Sequence, residues 1–195
     1  NLMFPLNWQE VFDNVGFPSW LKPFDGGGWK HVYKIHSVEE FFERYSETGD
    51  IVMTLQESIE FTEYYRCYCI GRKHVHVMPY EPRNPHHLRY AADFAPTDAM
   101  RRTLEELCVK ICTILGYDFN TVEFAVRDGI PYAIDYMNPA PDAERSSIGE
   151  ENFEWILSTA ATFLIDLAKK GRAVPTEYLW STFLTGQGKG QKGHK

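Results

Sequence analysis

At 195 residues the chain can bury one sizeable core or two small lobes, and its 44% hydrophobic and 15% aromatic content supplies the apolar surface to do so, which excludes a disordered chain. A formal net charge of -7 lacks the Lys/Arg surplus that nucleic acid or an anionic membrane demands, so neither is an expected partner and a small-molecule substrate is the default. No run approaches the roughly 20 apolar residues needed to span a bilayer and NLMFPLNW has no secretory pattern, so the expected location is cytoplasmic.

In chain order, Asn7 with Glu10 three positions on predicts a capped helix to Val15, closed by Gly16 and Pro18. SWLKP around Lys22 predicts a strand, and HVYKI beyond the DGGG loop a second one pairing back as a hairpin. Ser37 and Glu40 form a capping box ahead of Val38, Phe41, Phe42 and Tyr45 at helical spacing, with Gly49 as terminator. These elements make one small α+β lobe over residues 1–55.

IVMTLQ from Ile51 predicts a strand leading out of that lobe. YYRCYCI and GRKHVHVMPY predict two strands turning at Gly71, and Met100, Leu104, Leu107, Cys108, Ile111 and Leu115 an amphipathic helix stopped by Gly116. TVEFAVRDGIPYAIDYMN is a hairpin with Asp128 and Gly129 at its turn, and Phe153 to Lys170 a final helix expected to pack on this second sheet. A larger lobe over 56–175 follows, then a Gly/Lys tail over 176–195 whose end has nothing to bury and is expected to be disordered.

Two groups of residues carry chemistry. Lys22 precedes, and Lys30 follows, the glycines Gly26, Gly27 and Gly28; glycines let backbone N–H groups approach an anion while the lysines supply charge for phosphate oxygens, although a glycine-rich turn alone is more often only a turn. This is neither a Walker loop nor a dinucleotide-binding turn. Glu123 interrupts one apolar strand of the last hairpin, and Asp135 and Asn138 the other, an all-oxygen set suited to Mg²⁺.

Cysteines 67, 69, 108 and 112 fall in a strand run and a helix run and are expected as buried free thiols. His74, His76, His86 and His87 near Cys67 and Cys69 have the spacing of strand faces rather than of paired CxxC ligands, so packing rather than a zinc cluster is expected.

The order of features, a lysine strand, a glycine-rich flap, a QE hinge strand, an Arg-bearing strand, then an acid and an acid/Asn pair, resembles the ATP-grasp superfamily of the carboxylate–amine ligase kind over roughly residues 5 to 170. The resemblance implies an ATP-grasp fold, two α+β lobes with antiparallel sheets clasping a nucleotide cleft. It implies ATP and Mg²⁺ (or Mn²⁺) as cofactors, and carboxylate and amine as substrates joined through an acyl phosphate. Lys22 would contact the phosphates, Asp25 to Lys30 would cover them, and the backbone of Gln56, Glu57, Ser58 and Ile59 would read adenine, with Glu63 at the ribose. Arg66 and, secondarily, Arg89 would face phosphate or the acyl phosphate, and Glu123, Asp135 and Asn138 would hold the metal.

Two departures accompany the resemblance. The family pattern is acid, one residue, Asn, whereas Tyr136 and Met137 both intervene here, so a bulge or bend is needed to aim Asp135 and Asn138 at one ion. Family members also begin with a further domain, which would be supplied in cis or by a partner chain. The same ATP apparatus serves a kinase-like phosphotransferase, and a nucleotide-binding module inactive on its own is a further alternative.

Overall fold

The computed structural model describes residues 5–91 and 93–171; the tail over 176–195 lies outside the described residues. The chain divides into two compact units, Asn1–Glu60 and Phe61–Lys195, so the QE segment from Gln56 to Ile59 belongs to the first. No helix among the described residues is long and apolar enough to cross a membrane.

The first unit runs α1 (Trp8–Val15), β1 (Ser19–Pro23), β2 (Tyr33–Ile35), α2 (Val38–Glu47) and β3 (Met53–Glu57), with an antiparallel sheet in the order β2-β1-β3. The Asn7 side chain accepts from the Glu10 N–H at 3.3 Å, and Ser37 Oγ accepts from the Glu40 N–H at 3.2 Å. Glu40 returns a carboxylate to the N–H of His36 rather than to that of Ser37, at 2.8 Å, so the capping box closes one residue earlier than its usual form. Strand β2 is shorter than HVYKI suggested, because His31 adopts a left-handed φ of 57° that no strand residue can keep.

Alternation along β1 sends Ser19 and Leu21 inward, where Leu21, Ile35, Phe12 and Phe41 form the core under Trp8, Phe17, Tyr33, Met53 and Leu55. Each large apolar side chain fully buried there is worth about 1.5–3 kcal/mol. The opposite face carries Trp20 and Lys22, whose register partners are Lys34 and Gln56 for Trp20 and Thr54 for Lys22.

The second unit runs β4 (Glu63–Ile70), β5 (His74–Pro79), a 3-10 turn (His86–Leu88), α3 (Asp98–Leu115), β6 (Phe119–Arg127), β7 (Ile130–Asn138), α4 (Arg145–Ile148) and α5 (Glu150–Lys170). Its sheet is antiparallel in the order β5-β4-β6-β7. Helix α3 covers one face through Tyr65, Cys67, Cys69, Val122, Phe124, Val126, Leu104, Cys108 and Cys112. The other face packs Tyr68, Ile70 and Met78 against Ile148 of α4 and Ile156 of α5. Thr97 caps α3 by accepting from the Met100 N–H at 3.2 Å, and Gly116 ends it in a left-handed conformation.

Gly71 at the β4–β5 turn is doubly constrained: its φ is +64°, and an added Cβ would lie 2.7 Å from the ring of Phe163 on α5. Gly71→Ala is expected to lower stability by about 2–4 kcal/mol, from a left-handed cost of about 1–2 kcal/mol plus overpacking. Urea denaturation would read this as a lower midpoint at unchanged slope, and a Phe163→Ala background should reduce the steric part of the loss.

Candidate functional site

In the first unit, Lys22 is half-buried near the end of β1, and the chain from Phe24 to Lys30 is exposed along its length. Gly26 and Gly28 have φ of 130° and 68° with nothing within 4 Å of an added Cβ, so backbone conformation rather than space favours glycine at these two positions, and neither constrains Gly27. Trp29 turns its ring onto Trp20, with centroids 5.9 Å apart, on the sheet face shared with Lys22. Gln56 and Glu57 end β3, and the buried Ser58 donates its backbone N–H to the Pro18 carbonyl at 3.1 Å, with Ile59 half-buried beyond it.

In the second unit, the register of β4 on β6 sets Arg66 opposite Glu123, and that of β6 on β7 sets Glu123 opposite Asp135. Arg66 is 8% exposed, and its Nε lies 3.6 Å from Glu123 Oε1, within ion-pair range but beyond hydrogen-bond range. Its Nη1 donates to the Tyr90 hydroxyl at 2.8 Å and its guanidinium lies over the Tyr80 ring at 5.7 Å. The Tyr64 hydroxyl donates to Glu123 Oε2 at 2.7 Å. Arg89 donates to the Asn84 carbonyl at 3.1 Å and reaches the Tyr80 hydroxyl at 3.4 Å, so it stands behind the aromatic wall around Arg66. Arg66 Nε is buried without a hydrogen-bond partner, an orphan donor that an incoming anionic oxygen would satisfy.

The hairpin carries the irregularity that the Asp-x-x-Asn spacing requires. Register shifts fall between Thr121 and Glu123 and between Glu123 and Phe124, because β7 spends one residue more than β6 at each step. Asp135 and Asn138 then stand opposite Glu123 and Thr121, two positions on one face of β6. Asn120 reinforces this end: its Oδ1 accepts the Asn138 N–H at 2.8 Å while its Nδ2 donates to the Tyr136 carbonyl at 2.9 Å.

Glu63 stands apart from this group. Strand alternation puts it on the α3 face of β4, opposite Val126, and its carboxylate accepts from the Tyr65 hydroxyl. Tyr64, Tyr80 and Tyr90, which line the Arg66–Glu123 pair, were not anticipated, since an aromatic run reads first as strand propensity. For Tyr64 the signal was its place two residues from Arg66, hence on the same strand face.

Burial raises the Glu123 carboxyl above the ordinary carboxylate value, opposed by Arg66 and the Tyr64 hydroxyl and reinforced by Asp135. Burial also pushes up the hydroxyls of Tyr64 and Tyr80, which keeps them as donors. An all-oxygen set in which two carboxylates lie close enough to repel fits a hard divalent cation, whose charge would relieve that repulsion.

No protein-family profile matches the chain, and no curated protein matches it in sequence. Solved structures do. The D-alanine–D-alanine ligase of Bacillus anthracis, complexed with ATP, has a TM-score of 0.69 at 18% identity over 87% of this chain and 60% of its own. That of Coxiella burnetii has a TM-score of 0.65 at 10% identity over 87% of this chain and 51% of its own. The biotin carboxylase domain of the 2-oxoglutarate carboxylase of Hydrogenobacter thermophilus, bound to MgADP, ADP and bicarbonate, has a TM-score of 0.58 at 20% identity over 88% and 40%. The chain therefore has the ATP-grasp fold, and it spans 60% or less of the length of these three structures.

NMR titration of the side-chain carboxyls should find Glu123 titrating above the ordinary value of about 4.3. Asp135→Asn should bring it down and Tyr64→Phe should take it further up. Because the folded-state pKa is raised, the group favours the fold below the unfolded-state value and that contribution is lost as pH rises through the folded-state value.

Proposed function

We propose that this chain handles ATP for a Mg²⁺-dependent (or Mn²⁺-dependent) ligase that activates a carboxylate as an acyl phosphate and passes the acyl group to an amine. The observation that carries this reading is the Arg66–Glu123–Asp135 row across β4, β6 and β7, in a chain with the ATP-grasp fold. A buried guanidinium with an orphan Nε sits beside carboxylates suited to a cation, and this pairs an anion-binding group with a metal-binding one.

Lys22 places its charge against the phosphates, and the exposed segment from Asp25 to Lys30, with Gly26, Gly27 and Gly28, folds over them and excludes water. The backbone of Gln56, Glu57, Ser58 and Ile59 reads the adenine edge, and Glu63, at the start of β4, is the ribose candidate. Glu123, Asp135 and Asn138 would hold the metal, which when bound neutralises charge on the terminal phosphate oxygens. Arg66 offers its N–H groups to the carboxylate and then to the acyl phosphate, with Tyr90 fixing the guanidinium plane and Arg89 supporting the Tyr80 ring behind it.

In the first step a carboxylate oxygen bonds to the terminal phosphorus and ADP leaves; in the second the amine nitrogen bonds to the acyl carbon, phosphate leaves, and the amine proton passes to solvent. The chain's contribution is positioning and electrostatic stabilisation, with no covalent nucleophile.

Calorimetric titration with a non-hydrolysable ATP analogue should show Mg²⁺-dependent binding, weakened about tenfold or more by Lys22→Ala and by Glu123→Gln, in keeping with the roughly 1.5–3 kcal/mol of a charge-assisted contact. Binding by the folded wild type that ignores both substitutions, or no binding, overturns the reading. Free phosphate formed only when carboxylate and amine are both present supports ligation, whereas phosphate left on the substrate identifies a phosphotransferase.

A further inference from the structure

The cysteines take no part in the chemistry above, yet three of them converge. Cys69 of β4 and Cys108 and Cys112 of α3 bring their Sγ atoms within 4.8 Å of one another, and all three residues are fully buried. Strand alternation turns Cys69 toward the face that α3 covers, and the four-residue spacing of Cys108 and Cys112 stacks them on the helix face that meets it. Cys67 shares this core but is not in the cluster; its carbonyl accepts from the Cys108 thiol at 3.9 Å.

A second observation marks the cluster as more than apolar filling. Asn120 Nδ2 lies 3.4 Å from Cys112 Sγ. Its amide cannot turn over, because Oδ1 is held by the Asn138 N–H and Nδ2 by the Tyr136 carbonyl. An N–H fixed toward sulfur favours a sulfur that carries negative charge, as a metal-bound thiolate does.

We propose that Cys69, Cys108 and Cys112 form a three-sulfur site for a single thiophilic metal ion of the Cu(I) class. Thiolates select soft ions, and Cu(I) accepts three sulfurs in a plane. Among the described residues no fourth His, Cys, Asp or Glu donor joins the group, which disfavours Zn²⁺ and its four-coordinate preference. With metal–sulfur distances of about 2.3 Å the sulfurs would stand roughly 3.8–4.0 Å apart, so the cluster need contract by less than about 1 Å. The ion enters without change of oxidation state, each thiol proton passes to solvent, and Asn120 keeps its hydrogen bond to the Cys112 sulfur. The site is independent of the ATP reading.

Anaerobic titration of the reduced full chain with Cu(I) against a competing chelator tests this, with X-ray absorption of the loaded protein as a second measurement that needs no variant. Expected are saturation at one ion per chain and three sulfur neighbours. Cys69→Ala, Cys108→Ala and Cys112→Ala, each confirmed folded by circular dichroism, should weaken binding by more than about 100-fold, beyond the roughly 10- to 100-fold of lost outer partners, whereas Cys67→Ala should retain it. No saturable binding by the folded reduced chain, nitrogen or oxygen neighbours at the metal, or binding indifferent to the three substitutions overturns the proposal.

Discussion

The ion pair between Arg66 and Glu123 is the constraint around which the second unit is arranged. Two opposite charges withdrawn from water at the middle of a four-stranded sheet carry desolvation costs of several kcal/mol each, which their attraction offsets only if the remaining donors and acceptors are met. Most are: Tyr64 donates to one carboxylate oxygen, Tyr90 accepts from one guanidinium nitrogen, and the Tyr80 ring lies under the cation. Glu123 is nevertheless left with a raised pKa, and Arg66 Nε, though within ion-pair range of Glu123, makes no hydrogen bond. A hydrophobic pair would stabilise this sheet as well or better, so retaining a charged one that is incompletely satisfied agrees with a group kept ready for an incoming anion and cation.

The surroundings of the pair follow from strand geometry. Period-two alternation in β4 places Tyr64, Arg66 and Tyr68 on one face and Tyr65, Cys67 and Cys69 on the other. The first face is apolar where α4 and α5 cover it, at Tyr68 and Ile70, and polar at the Tyr64 and Arg66 end. The segment after β5 folds back on itself through the Glu81 N–H to the Arg89 carbonyl at 2.8 Å and delivers Tyr90 to Arg66. The carboxylates of Glu123 and Asp135 thus share one face and the thiols the other, with Glu63 on the thiol side.

Local signals were legible where a residue acts on its own neighbours. Asn7 and Ser37 mark helix starts by side-chain acceptance from an N–H three residues on, Gly116 marks an end through its left-handed backbone, and Asp128 and Gly129, with φ of 54° and 75°, turn the last hairpin as their pairing implied. The bulge demanded by the spacing of Asp135 and Asn138 was legible too, since two intervening residues break alternation. His31 was not, because a left-handed φ of 57° is uncommon for a residue other than glycine and no local pattern marks it. Nor was the convergence of three cysteines: Cys69 lies about 40 residues from Cys108 in the chain, and only the docking of α3 on β4 brings their sulfurs together. The side on which Glu63 would lie required the register of β4, which its short-range pattern does not encode.

Asn120 shows how an irregular strand end is held in place. Where β7 bulges, the regular ladder to β6 is interrupted and β7 backbone groups lose their ladder partners. The Asn120 side chain takes over that work: a primary amide carries the same acceptor and donor as a peptide unit, and it meets the Asn138 N–H and the Tyr136 carbonyl as a strand edge would. Aspartate at this position would accept from Asn138 but could not donate to Tyr136, and serine would be too short to span both. The position of Asn138 relative to Glu123 therefore depends on a side chain from the opposite face of β6, the face that also bears on Cys112. One buried amide links the backbone at the end of the oxygen set to the sulfur cluster.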